Sequence, residues 1–264
     1  LELAGRTDVA VAAGAEVSMT TLAMPGGIGD DDAYWGGFVP HRPSPAGAAF
    51  DLMEASVRAG ATIVAIGPYT NLGLLEVTRP GLLATAPVVL MGSVVQPPAE
   101  GLPPWGPDFD WNVQCDTRAA EIVLGAAEDL TVVTLSATAA VHLRAAHLPR
   151  LEAAGPLGNL VARQARAHAD DNHMDRYAER YPGLPTDLVN YQHDPLACAV
   201  AAGWGAVTDR QVSLHPEYEG DVLRFATEGQ GRPARVVVGA DDAPFAAKWL
   251  DCIRAAARGP VGDS

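Results

Sequence analysis

Short apolar runs rich in Val, Ile and Leu alternate along the chain with Ala- and Leu-rich stretches of helical spacing. DVAVAAG (8–14), ATIVAIG (61–67), PVVLMG (87–92), LTVVTLS (130–136) and ARVVVGAD (234–241) read as strands. Between them, 45–60, 71–79 and 116–129 read as helices: Ala49, Phe50, Met53 and Val57 fall near one face of the first, Pro80 stops the second, and Asp116 caps the third. The apolar runs are continuous rather than alternating, which is the pattern of strands covered by helices on both faces. The β-α-β-α order therefore predicts an α/β fold: an open, mostly parallel sheet flanked by helices, as a single domain over residues 1–264. Near the C-terminus, AVTDRQVSLHPEYEGDVLRFATEG predicts a strand pair at the sheet edge, and a last helix is expected over about 243–257.

Two stretches break the alternation. Residues 93–115 are rich in Pro and Gly, contain Trp105 and Trp111, and follow the strand PVVLMG. Ligands bind outside the carboxyl ends of strands in such sheets, and loops this long inside compact domains are usually functional. Residues 170–192 are polar and aromatic and read as a lid or a surface helix.

Composition narrows the function. Nearly half of the 264 residues are hydrophobic, and the net charge is −14 with only 18 Lys plus Arg. No basic stripe exists, so no nucleic-acid partner is expected, and no apolar run reaches the roughly 20 residues of a membrane span. Cys115, Cys198 and Cys252 are odd in number and lack zinc spacing, which suggests a reducing, cytoplasmic setting. No GxSxG elbow and no GxGxxG after a strand occur, and Lys248 is the only lysine. A serine hydrolase, a nicotinamide enzyme and Schiff-base chemistry are accordingly disfavoured.

Three short motifs offer chemistry. GPYTN (67–71) closes a strand and opens a helix, with Thr70 as a cap. DFDWN (108–112) brings two carboxylates, an amide and an aromatic together, a set suited to a polyhydroxylated ligand. In NYQHDPLACA (190–199), His193 and Asp194 stand directly before Pro195, which favours a helix start with Asp194 as N-cap. Each motif alone has a purely structural reading.

Taken in order, LELAGRTDVAVAAG, VAIGPYTNLGLL, VVLMGS, DFDWNVQCDTRAAEIV, TLSAT, HDPLACAVA and ARVVVGADDAPF resemble the inosine-uridine-preferring nucleoside hydrolases, over most of the chain. The resemblance implies Ca²⁺-dependent hydrolysis of the N-glycosidic bond of a ribonucleoside, in a homodimer or homotetramer. Thr70 resembles the residue whose main-chain carbonyl ligates Ca²⁺, and Asp194 a side-chain ligand. His193 resembles the acid that protonates the leaving base. Asp110 (where the family usually has Glu) and Asn112 resemble binders of the ribose hydroxyls, Met91 lines the ribose pocket, and Trp111 stands in place of the usual Phe. Such a reaction passes through an oxocarbenium-like state, needs a water activated by a carboxylate and a hard cation, and needs a proton for the base.

The sequence also departs from the family pattern. Its Asp-x-Asp-x-x-x-Asp-Asp cluster, which supplies the base and most Ca²⁺ ligands, belongs upstream of Leu1. The chain is therefore expected to be an N-terminally truncated and inactive form of the hydrolase. GDDDAY (29–34) follows the second expected strand rather than the first and reads as a rim loop. Pro104 stands near a ribose asparagine of the family. A rival reading is a non-catalytic nucleoside- or ribose-binding protein on the same scaffold.

Overall fold

The computed structural model describes residues 1–21, 31–37 and 44–258, with the backbone alone at 31 and 32. The first half runs α1 (Asp31–Trp35), α2 (Ala48–Arg58), β1 (Ile63–Ala65), α3 (Thr70–Thr78), β2 (Pro87–Met91), α4 (Trp111–Gln114), α5 (Thr117–Ala126), β3 (Asp129–Val133) and α6 (Leu135–Thr138). It continues with β4 (His142–Arg144), α7 (Leu148–Glu152), α8 (Pro156–Asp171), α9 (Met174–Arg180), β5 (Leu188–Tyr191) and α10 (His193–Ala201). The last elements are β6 (Val207–Glu219), β7 (Val222–Ala226), β8 (Arg232–Ala240) and α11 (Asp242–Ala256).

A six-stranded mixed sheet has the order β1-β2-β3-β8-β6-β7. The pairs β1–β2, β2–β3 and β3–β8 are parallel, while β6 runs antiparallel to both β8 and β7. Successive side chains of a strand point to opposite faces. Val88 and Leu90 thus join Leu72, Leu75, Val123 and Leu124 of α3 and α5 in one core layer. Val89 and Met91 join Leu196, Ala197 and Val200 of α10 and Phe245 of α11 in the other. Both faces are buried, which is why the strand sequences are unbroken apolar runs; each such side chain contributes about 1.5–3 kcal/mol on burial.

The four parallel strands end at one edge of the sheet, and the turns that follow them carry the site. α5 starts as expected, with the Asp116 side chain accepting the Ala119 N–H at 3.1 Å. A small antiparallel pair, β4 with β5, was not foreseen; it sets His142 opposite Tyr191.

Two expectations are corrected. DVAVAAG is not a strand: it pairs with nothing in the sheet, and Val9 and Val11 are exposed. An apolar run becomes a strand only where a partner edge accepts its ladder bonds. Asp194 is not an N-cap. The Gln192 N–H donates to the Val141 carbonyl at 3.0 Å, and α10 begins at His193, so Gln192 is the cap and Asp194 enters the first turn. Residues 170–192, read as a lid or a surface helix, contain the helix α9, whose exit is held by the buried cluster Met174, Leu184, Leu188 and Tyr191. Part of GDDDAY (29 and 30) lies outside the described residues, and residues 31–34 form most of α1.

Candidate active site

A cavity of about 450 Å³ opens where β1, β2 and β3 end. Met91, Asp110, Trp111, Asn112, His193 and Asp194 line it, so six of the seven residues singled out from the sequence converge there. Ile66, Gly67 and Pro68, which follow β1, form part of its wall.

The segment after β2 is shaped for close approach. Gly92 has φ 145° and Ser93 φ 68°, a left-handed conformation that is uncommon outside glycine. A Cβ on Gly92 would lie 2.5 Å from the Tyr69 hydroxyl and 3.2 Å from the Asp110 carboxylate. This bend presents the Ser93 N–H to Asp110 Oδ2, while the Val113 N–H donates to Oδ1 at 3.2 Å. Asp110 is 3% exposed. Burial pushes its carboxyl up to about 6, against the opposing pull of the backbone donors at Val113, Ser93 and Asn112. The Met91 carbonyl accepts from the Tyr69 hydroxyl at 2.8 Å and from Asn112 Nδ2 at 3.0 Å. Asn112 is thereby oriented with its Oδ1 left as the available acceptor.

His193 opens α10 at the cavity wall. Its Nδ1 lies 2.6 Å from Thr138 Oγ1, at the end of α6. Tyr191 stacks on the ring at 5.3 Å and 23°, and Trp105 stands 6.0 Å away. Burial, and then the charges of His168 and His142, push the imidazole down to about 4. The ring is therefore neutral near pH 7. Asp194 follows it, with its carboxyl raised by burial.

Thr70 does not line this cavity. Its hydroxyl donates to the buried Asp116 Oδ2 at 2.6 Å, and the Met19 N–H and the Thr20 hydroxyl, nearer the surface, donate to the same carboxylate. The backbone that does reach the cavity from this turn is that of Ile66–Pro68, one helical turn earlier. Calcium takes six to eight oxygen ligands. Among the described residues no group of three or more His, Cys, Asp or Glu could hold a metal ion, so the side chains described do not by themselves fit Ca²⁺.

Two aromatic residues of the wall, Trp105 and Tyr177, lay outside the motifs. Trp105 packs edge-on against Tyr191 at 4.9 Å and Tyr177 at 6.4 Å, and Phe109, like Trp111, is exposed at the mouth. Trp105 comes from the Pro-rich loop and Tyr177 from α9. These two segments touch at Gly101 and Gly183, where the Gly183 N–H donates to the Gly101 carbonyl at 2.9 Å. A Cβ on Gly101 would meet the Gly183 nitrogen at 2.9 Å, and one on Gly183 the Gly101 carbonyl carbon at 2.8 Å. The signal for these residues was the length and composition of the two stretches that break the alternation; Thr138 closes the quoted TLSAT, but nothing in the sequence tied it to His193, 55 positions away.

The fold has counterparts among solved structures. A purine-preferring ribonucleoside hydrolase from Gardnerella vaginalis superposes with a TM-score of 0.77 at 22% identity, covering 97% of this chain and 83% of that one. A plant nucleoside hydrolase superposes with a TM-score of 0.74 at 21% identity, with the same coverage of 97% and 83%. Among curated proteins, the pyrimidine-specific ribonucleoside hydrolase RihA of Salmonella paratyphi A is 34% identical over 171 residues, 61% of this chain and 53% of that protein. RihA of Salmonella agona is likewise 34% identical over 171 residues. The chain spans about half the length of these curated relatives. The sequence pattern of the inosine-uridine preferring nucleoside hydrolases matches residues 1–247, and the chain belongs to that family.

Proposed function

We propose that this chain carries the ribose- and base-facing side of a site that hydrolyses the N-glycosidic bond of ribonucleosides. The observation that carries this reading is the convergence of Met91, Asp110, Asn112, His193 and Asp194 on one cavity at the carboxyl ends of parallel strands. Family membership and the names of the relatives support it.

The residues divide the work. Asn112, held by the Met91 carbonyl, offers Oδ1 to a ribose hydroxyl. Asp110 is fixed by two backbone N–H groups and adds an acceptor whose charge responds to pH near 6. Phe109 and Trp111 cover the sugar and base with exposed aromatic faces. As the C–N bond breaks, negative charge collects on the base, and His193 donates a proton to it. The resting imidazole is neutral, so it takes a proton from solvent before the base leaves, and the negative charge developing on the base then draws that proton off. The water oxygen ends on the anomeric carbon, and the free base leaves.

Calcium belongs to this proposal through the family. When bound, such a cation lowers the pKa of the attacking water. Asp194 is the side chain that this chain offers toward it; since the described residues do not complete a shell, no step is assigned to the metal. A homo-oligomeric, cytoplasmic enzyme is part of the same reading. Three free cysteines, two of them exposed, support a reducing compartment. No helix of the described residues is long and apolar enough to cross a membrane.

The test, made on the full-length product of the gene, is release of free base from inosine, uridine and cytidine, with Ca²⁺ and with chelator, beside His193→Ala. Chelator-sensitive release, slowed by the substitution most for poor leaving bases, is the expected result. Nucleoside binding that ignores the chelator, with no cleavage, would overturn it in favour of a binding protein.

A further inference from the structure

We propose that Thr138 is a positioning residue that holds neutral His193 as the Nδ1–H tautomer and so keeps Nε2 toward the substrate cavity. The inference rests on the acid role proposed for His193, and it goes beyond it by naming the proton's seat and the group that fixes it.

The argument is one of hydrogen counting. Thr138 Oγ1 lies 2.6 Å from His193 Nδ1 and also donates to the Leu135 carbonyl at 3.1 Å. A hydroxyl has one proton to give. With the proton on Nδ1, the ring donates to Oγ1 and Oγ1 donates to Leu135, and both contacts are hydrogen bonds. With the proton on Nε2, the hydroxyl must turn to Nδ1, and the bond to Leu135 is lost. One net hydrogen bond favours the first state by roughly five- to tenfold.

The acceptor is itself indexed to the sheet. α6 is capped by Thr134, whose side chain accepts the Ala137 N–H at 3.2 Å and donates to the Val237 carbonyl of β8 at 2.9 Å. Thr138 ends this one-turn helix, and the Ala139 N–H closes it on Leu135 at 2.9 Å. Tyr191, stacked on the imidazole, fixes the ring plane. Nε2 has no protein hydrogen-bond partner among the described residues, and the residue lines the cavity shared with Met91 and Asn112.

The chemistry balances. The neutral ring first takes a proton from solvent on Nε2; that proton passes to the base nitrogen as the C–N pair of electrons moves onto the base, while the attacking water gives its oxygen to the anomeric carbon and its surplus proton to solvent. The imidazole left behind is the Nδ1–H form, already hydrogen-bonded to Thr138, so no tautomer exchange follows. Without the threonine acceptor, the released ring would leave a donor unsatisfied against the end of α6.

The experiment is two-bond ¹H–¹⁵N correlation NMR on the full chain labelled at histidine, at neutral pH, with His193→Gln to assign the signals. The expected spectrum has a pyrrole-type Nδ1 and a pyridine-type Nε2 at His193, retained in Thr138→Ser and shifted toward the Nε2–H form by five- to tenfold in Thr138→Val. A pyrrole-type Nε2 in the unsubstituted protein overturns the proposal, whether or not Thr138→Val folds. So does a Thr138→Val spectrum identical to that of the unsubstituted protein. In a base-release assay Thr138→Val lowers kcat with KM held, and Thr138→Ser restores it. Base release indifferent to His193→Gln would instead sink the acid role, while the tautomer result would stand.

Discussion

Asn112 donates its side-chain amide to the main-chain carbonyl of Met91 at 3.0 Å, and this one bond decides which end of the amide the cavity sees. Replacing Asn112 by Asp sets a carboxylate oxygen against the carbonyl. The expected cost is about 1–3 kcal/mol of stability, together with loss of ribose affinity. Urea denaturation and calorimetric titration with ribose measure the two effects; full affinity in the variant would show that Oδ1 is not the ribose acceptor.

Asp110 makes stability depend on pH. Its carboxyl titrates at about 6 when folded, against 3.8 for the ordinary side chain. Between those values the folded protein holds a proton that the unfolded chain has lost, so stability falls as pH rises from about 4 to 6 and is level above. The total is roughly 2–3 kcal/mol, at about 1.4 kcal/mol per unit. Urea midpoints at steps across this range should show the slope in the native protein and not in Asp110→Asn. Parallel slopes would assign the effect to another group.

Gly92 has no room for a side chain. Gly92→Ala puts a methyl 2.5 Å from the Tyr69 hydroxyl at φ 145°, and the main chain must shift or Tyr69 must leave the Met91 carbonyl. A loss of about 2–4 kcal/mol is expected. Thermal unfolding reports it, and an unchanged midpoint would mean that the turn is not held by Tyr69.

The side chain of Thr70, as distinct from its main-chain carbonyl, is expected to act on stability rather than on ligands. Thr70→Val removes a hydrogen bond to a buried carboxylate at nearly constant volume and should cost about 1.5–3 kcal/mol. Nucleoside binding measured below the unfolding transition should stay within a factor of two. A larger drop in affinity would return Thr70 to the site.

Much of this was legible in the sequence, for identifiable reasons. The strands of the parallel sheet were readable because both of their faces are buried, so Val88, Val89, Leu90 and Met91 are all apolar. The site was readable because its motifs sit where strands end and helices begin. DVAVAAG has the same composition and is no strand, because strand formation needs a free edge in register, which no local pattern encodes. Asp194 has the chemistry of a cap, yet β5 turns into α10 after a single residue and the helix starts too early to use it. Thr70 was expected to offer its main-chain carbonyl; that its side chain goes to Asp116, 46 positions away, was not legible. Partners that distant leave no mark on a local reading.

The backbone contact between Gly101 and Gly183 has a mechanical consequence. Two segments that meet peptide against peptide, with no side chain between them, have nothing soft to compress. The Trp105 loop and the exit of α9 are therefore held together as one wall of the cavity. Widening either glycine would force the two segments apart, so the spacing of that wall is set at a seam outside the cavity's own lining.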